Sequence, residues 1–123
     1  MKVVLAEADP RMREVVRLAL LGRAVVMAEV NSAWGCLSAV AEHRPDAVLL
    51  AADLPDHSGH ETLLLLRRYL GLSLRVLLLG AEKPLGAFSQ REAVGYLPYP
   101  FDAQDLLKEV DRLMARPGRR KAG

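Results

Sequence analysis

Short, almost wholly apolar runs alternate along this chain with stretches in which apolar residues return every three or four positions. Runs of that kind are the mark of parallel strands buried on both faces, and the periodic stretches between them are amphipathic helices that cover the sheet. The runs lie at Lys2–Ala6, Ala24–Glu29, Ala47–Ala51, Arg75–Leu79 and, briefly, Gly95–Leu97, so five strands of an α/β fold are predicted.

Capping chemistry places the helices. Asp9 and Pro10 form an N-cap and first-turn proline for a helix whose Met12, Val15, Val16, Ala19 and Leu20 share an inner face before Gly22 ends it. Asn31 or Ser32 caps the second helix, with Trp34, Leu37, Val40 and Ala41 as its inward stripe. Ser58 and Glu61 have capping-box spacing and start a third helix that runs through Leu63–Leu66 toward Tyr69. Asp102 and Asp105 mark the last helix, with Leu106, Leu107, Val110, Leu113 and Met114 facing inward. Between Gly80 and Gly95 the periodicity fails, because Pro84 and Gly86 oppose a long helix; the fourth helix is predicted to be short or displaced.

Length and composition narrow the class. A chain of 123 residues is one domain, large enough to bury about two-thirds of its unfolded surface in a single core. Residues 1–116 are expected to form that domain and 117–123 a disordered basic tail. No apolar run reaches membrane-spanning length and no charged leader opens the chain, so a cytoplasmic protein is expected, with no membrane partner. Cys36 stands alone in an apolar-patterned stretch, which makes it a buried small hydrophobe rather than a nucleophile. The formal charge of +2 is unevenly spread: Arg116, Arg119, Arg120 and Lys121 carry +4, leaving residues 1–115 at −2. A basic cluster can attract nucleic acid. No helix-turn-helix or aromatic-rich basic pattern accompanies this one, so it reads as a frayed end and nucleic acid is not an expected partner.

The middle of the chain carries the most specific signal. Pro45-Asp46 opens the third apolar run, which ends at Ala51; Pro55 follows four residues later and Gly59 eight residues later. A second cluster is Gly95-Tyr96-Leu97-Pro98-Tyr99-Pro100-Phe101. Together with Leu54-Pro55 these anchors resemble the receiver domain of response regulators in two-component, phosphorelay signalling, over about residues 2–115. The resemblance implies a flavodoxin-like (CheY-like) fold: a doubly wound five-stranded parallel sheet in three α/β/α layers, with its site beyond the carboxyl ends of the strands. It also suggests a cis bond before Pro100, common at that position in the family.

Set beside the family, the phosphoryl-transfer positions all depart. Ala51 stands where the phosphoacceptor aspartate belongs, and a methyl group cannot attack phosphorus. The acidic pair that holds Mg2+ is reduced to Glu7-Ala8, with Asp9 one residue on; Gly80 replaces a Ser or Thr, and Tyr99 replaces the Lys before Pro-Phe. Loss of acceptor, hydroxyl, cation and half the acidic pair removes the stabilisation that phosphoryl transfer requires. The resemblance therefore implies a degenerate pseudo-receiver that is not an enzyme, holds no cofactor and does not bind Mg2+. Glu7, Asp9 and Asp53 form a vestigial acidic site, in which Glu7 and Asp53 read as solvated loop acids. Asp53 is the one alternative phosphoacceptor in the same loop. His57 and His60, with Asp56, suggest a metal site, but the lone H-x-x-H pair on a loop and helix start lacks a third placed ligand, so none is expected.

The function expected from these positions is protein interaction independent of phosphorylation. Receivers typically use the face built from the fourth helix, fifth strand and fifth helix, here Phe88, Arg91, Glu92, Tyr96, Tyr99, Asp105, Lys108 and Arg112, which could hold a homodimer or an unidentified signalling partner. Tyr96 matches an aromatic that turns between exposed and buried positions in many receivers; with Gly80 in place of the hydroxyl it reads as a half-buried, fixed contact. The competing reading is a small-molecule sensor, because Ala8, Ala51 and Gly80 leave a smaller, less charged crevice open to an apolar or aromatic group near Tyr99.

Overall fold

All five predicted strands form, and they pair in parallel in the order β2-β1-β3-β4-β5. The structure is a computed structural model that describes residues 1–71, 74–83 and 93–115. In chain order the elements are β1 (Lys2–Ala6), α1 (Pro10–Ala19), β2 (Val25–Val30), α2 (Ala33–His43), β3 (Ala47–Ala51), α3 (Gly59–Leu70), β4 (Arg75–Leu79), β5 (Val94–Leu97) and α4 (Ala103–Ala115). The helix predicted between β4 and β5, with the residues at 84–92, lies outside the described residues, as does the tail at 116–123. The last predicted helix is therefore α4.

Because side chains alternate across a strand, each strand feeds two cores. Val4, Ala6, Val48, Leu50, Val76 and Leu78 face α2 and α3, where they meet Cys36, Val40, Leu63 and Leu66. Val3, Leu5, Leu49, Leu77 and Leu79 face α1 and α4, against Val16, Leu20, Leu106, Val110 and Leu113. Burial on both faces explains why the strands read as unbroken apolar runs. Cys36 is buried as expected, and desolvation pushes its thiol up to about 12, which leaves it unreactive.

The caps close as the sequence predicts. Asp9 accepts from the Arg11 N–H at 2.9 Å, Ser32 rather than Asn31 accepts from the Gly35 N–H at 3.0 Å, and Ser58 and Glu61 complete a capping box. Asp102 and Asp105 bond each other's backbone N–H groups at 3.0 and 2.8 Å. Boundaries shift by a residue at β2, because the Ala24 N–H donates to the Leu20 carbonyl and Ala24 belongs to the turn that follows α1. Strand β5 starts one residue early, at Val94.

Three inward assignments are corrected. Val15, Trp34 and Ala41 point outward, Val15 at 44% and Trp34 at 55% exposure. The buried stripe of α2 is Ala33, Cys36, Leu37 and Val40; Trp34 and Ala41 each lie about 100° round the helix from that stripe, one residue from Ala33 and Val40. A Leu49→Ala substitution is expected to cost about 2–5 kcal/mol in urea unfolding, whereas Val15→Ala should change stability by less than about 0.5 kcal/mol.

Candidate functional site

Strand order reverses at β1, which lies between β2 and β3, so a crevice opens beyond the carboxyl ends of β1 and β3. The pairing of Ala6 with Leu50, Ala51 with Leu79 and Leu79 with Leu97 brings Glu7, Ala51 and Gly80 to one edge of the sheet. Ala51 is buried at 2% exposure. The turn behind it is closed by Gly59, whose N–H donates to the Ala52 carbonyl at 2.6 Å; a β-carbon there would run into the Ala51 carbonyl oxygen and sit 2.9 Å from the Ala52 Cα. Only glycine fits that close approach.

Glu7 is not the solvated acid its loop position suggested. It is buried at 4% exposure, its N–H donates to the Val30 carbonyl at 2.9 Å, and its carboxylate is bonded at both oxygens. The Asp9 N–H donates to one oxygen at 3.2 Å and the Tyr99 hydroxyl to the other at 3.3 Å. Arg13 adds a cation over the same loop, donating to the Glu7 carbonyl at 2.8 Å and the Ala8 carbonyl at 3.4 Å. Burying a carboxylate is costly unless its oxygens are satisfied, and the phenol of Tyr99 supplies one of the two bonds. Asp53 is exposed as expected and pairs through its backbone with Ser58.

Tyr99 is the residue that shapes the crevice. Its peptide bond to Pro100 is cis, and its ring stacks on Phe101 at 5.5 Å between centroids. The ring then lies across Gly80: a β-carbon at residue 80 would collide with Tyr99 Cε2 and stand 2.8 Å from Cδ2 and Cζ. Gly80 also holds φ of +81°, and its N–H donates to the Leu97 carbonyl at 2.7 Å. The tyrosine thus takes the space a Ser or Thr side chain at residue 80 would need. Part of the crevice that the sensor reading leaves open is taken by the chain's own Tyr99 ring over Gly80. That phenol is half exposed, yet burial first, then the charge of Glu7 and its bond to it, with Asp53 and Asp9 adding, push its pKa up to about 12.

On the expected interaction face, Tyr96 packs partly buried against the core that α2 and α3 cover, while α4 lies on the opposite side of the sheet. Asp105 is occupied in the α4 cap, Lys108 is exposed, and Arg112 pairs with Glu109 at 2.7 Å within α4. Phe88, Arg91 and Glu92 lie outside the described residues. His57 reaches Glu61 at 3.8 Å, and among the described residues no three His, Cys, Asp or Glu side chains group as metal ligands.

One polar contact was invisible to sequence reasoning. Asp56, in the loop after β3, accepts the N–H groups of Ala33 at 2.8 Å and Trp34 at 3.2 Å. The Ala33 bond chiefly holds its carboxyl below the usual range. No local pattern announces a cap supplied from more than twenty residues away.

The described fold has known relatives. Residues 3–111 match the family described as the response regulator receiver domain. A two-component response regulator of the LuxR family from Aurantimonas sp. SI85-9A1 is 24% identical, with 93% of this chain and 84% of that one covered and a TM-score of 0.79. The response regulator domain of Thermotoga maritima CheB is 19% identical, with coverage of 93% and 96% and a TM-score of 0.76. The Vibrio cholerae chemotaxis response regulator CheY4 is 20% identical, with coverage of 91% and 97% and a TM-score of 0.77. At these identities the three share a fold with this chain. Among curated proteins, none matches.

Two measurements check the plug. Gly80→Ala should lose about 1–2 kcal/mol for a β-carbon in a left-handed backbone and about 1–3 kcal/mol more for crowding the ring. In a Tyr99→Ala background only the backbone part should remain; an equal loss in both backgrounds would show that the ring does not rest on residue 80. In an ultraviolet pH titration, the phenol removed by Tyr99→Phe should ionise near pH 12 rather than 10, and Glu7→Gln should bring it down. Because the folded pKa is the raised one, stability linked to this phenol is whole below about pH 10 and is lost as pH rises through about 12.

Proposed function

The chain belongs to the response regulator receiver domain family, and from that premise we propose that it signals as a protein-interaction module that is never phosphorylated and catalyses no reaction. The observation that supports this reading is the Tyr99 ring seated on Gly80 with its hydroxyl on Glu7, at the sheet edge where Ala51 presents only a methyl group. A phosphoryl group arriving there would meet no nucleophile, and it would have to displace an aromatic ring whose hydrogen bond keeps a buried carboxylate satisfied.

The donor set does not fit the divalent cation that the family implies. Mg2+ asks for several oxygen ligands in near-octahedral array. Ala8 and Ala51 offer methyl groups, and both Glu7 oxygens already accept hydrogen bonds from Asp9 and Tyr99. Asp53 stays at the surface of its loop. No step of this function therefore runs through a metal, and no cofactor is required.

The partner is a protein, met at the outer strand β5, where Tyr96 lies on one side of the sheet and Lys108 and Arg112 of α4 on the other, and a second copy of the chain could dock in symmetric fashion. Nucleic acid has no part in the reading. We place the protein in the cytoplasm; no described helix is long and apolar enough to cross a membrane.

Incubation with acetyl phosphate and Mg2+, followed by intact-mass measurement, tests the proposal. The mass should stay that of the unmodified chain. A phosphoryl adduct, on Asp53 above all, would overturn it.

A further inference from the structure

A groove runs between α2 and the end of α3, and none of its lining residues belongs to the crevice. Two adjoining cavities, of about 310 Å3 and about 670 Å3, share Ala41, Tyr69 and Leu70 and lie side by side along α2, against the last turn of α3. The groove's upper end is walled by Trp34 and Leu37, and its lower end by Arg44, Leu74 and Arg75. Trp34, the one tryptophan in the chain, is 55% exposed there, and Tyr69 is 61% exposed.

We propose that this groove docks an acidic amphipathic helix of a partner protein. Trp, Tyr and Arg are the residue types that dominate binding energy at protein interfaces, and here all three line one groove. The anchors are held in place before any partner arrives. Asp56 bonds the backbone N–H groups of Ala33 and Trp34, the Trp34 ring sits edge-on to His57 at 5.9 Å, and the Arg68 guanidinium lies 5.7 Å from the Tyr69 ring centre. Side chains ordered in advance lose less entropy on binding.

Size and charge choose the occupant. The 11 residues of α2 span about 16 Å, room for about three helical turns, with apolar anchors at i, i+3 or i+4, and i+7. Arg44 and Arg75 make the lower end cationic, and Arg68 stands beside Tyr69. Against Arg44 and Arg75 the lining sets one carboxylate, Asp46, which accepts the Lys2 N–H at 2.7 Å. A partner bearing carboxylates next to its apolar stripe complements this rim. Among the described residues Asp46 is the only acidic one in the groove's lining, so a second copy docked groove to groove would bring few carboxylates to the arginines.

The inference is independent of whether the crevice accepts phosphate. Its test is selection from a display library of random peptides about 14 residues long against the intact chain. Enriched peptides should carry leucine-like residues at helical spacing together with Asp or Glu, and should blue-shift Trp34 emission. Trp34→Ala and Arg44→Glu, each confirmed folded by circular dichroism, should weaken binding about tenfold or more. No enrichment, enrichment of neutral or basic peptides, or binding untouched by both substitutions would overturn the proposal. So would concentration-dependent dimerisation abolished by Trp34→Ala, which would give the groove to a second copy.

Discussion

A side chain at residue 80 and an aromatic ring at residue 99 cannot both occupy the mouth of this sheet, and the exclusion orders everything around it. With hydrogen at residue 80, the ring of Tyr99 lies against the backbone there and its hydroxyl reaches Glu7. Glu7 can then be buried, since its second oxygen is met by the Asp9 N–H at the start of α1. Three strand ends are joined in this way through one phenol, in place of the ionic contacts that a phosphoryl group and a metal would bring to a doubly wound sheet.

The constraint is only as good as the register beneath it. Parallel pairing carries Glu7, Ala51 and Gly80 to one level, and a slip of one residue would exchange the two faces of a strand and turn Val4, Val48 and Val76 against the wrong helices. Two full cores, one on each side of the sheet, oppose such a slip. The rigidity of the site is thus borrowed from the hydrophobic layers and not from the polar contacts at its surface.

The sequence was most legible where partners are near neighbours. Strand runs and the caps at Asp9, Ser58 and Asp102 were readable because each depends on residues within four positions. Family anchors pointed to the receiver fold and so to the sheet order that the structure shows. What escaped reading depends on contacts across the chain. Tyr99 could be assigned to the crevice or to the outer face, and only the fold sets its ring on Gly80 and its hydroxyl on an acid 92 residues away. The burial of Glu7 follows from that same contact. Trp34 was misplaced because a helix stripe counted from a large apolar residue points the wrong way when alanine and cysteine fill the inner positions.

The carboxylate of Asp56 makes the loop after β3 and the first turn of α2 a single mechanical piece. That loop begins at Ala51, on the crevice floor, and the helix turn carries Trp34, at the head of the distant groove. Two hydrogen bonds and the edge contact with His57 thus tie the indole's position to the loop that leaves the crevice.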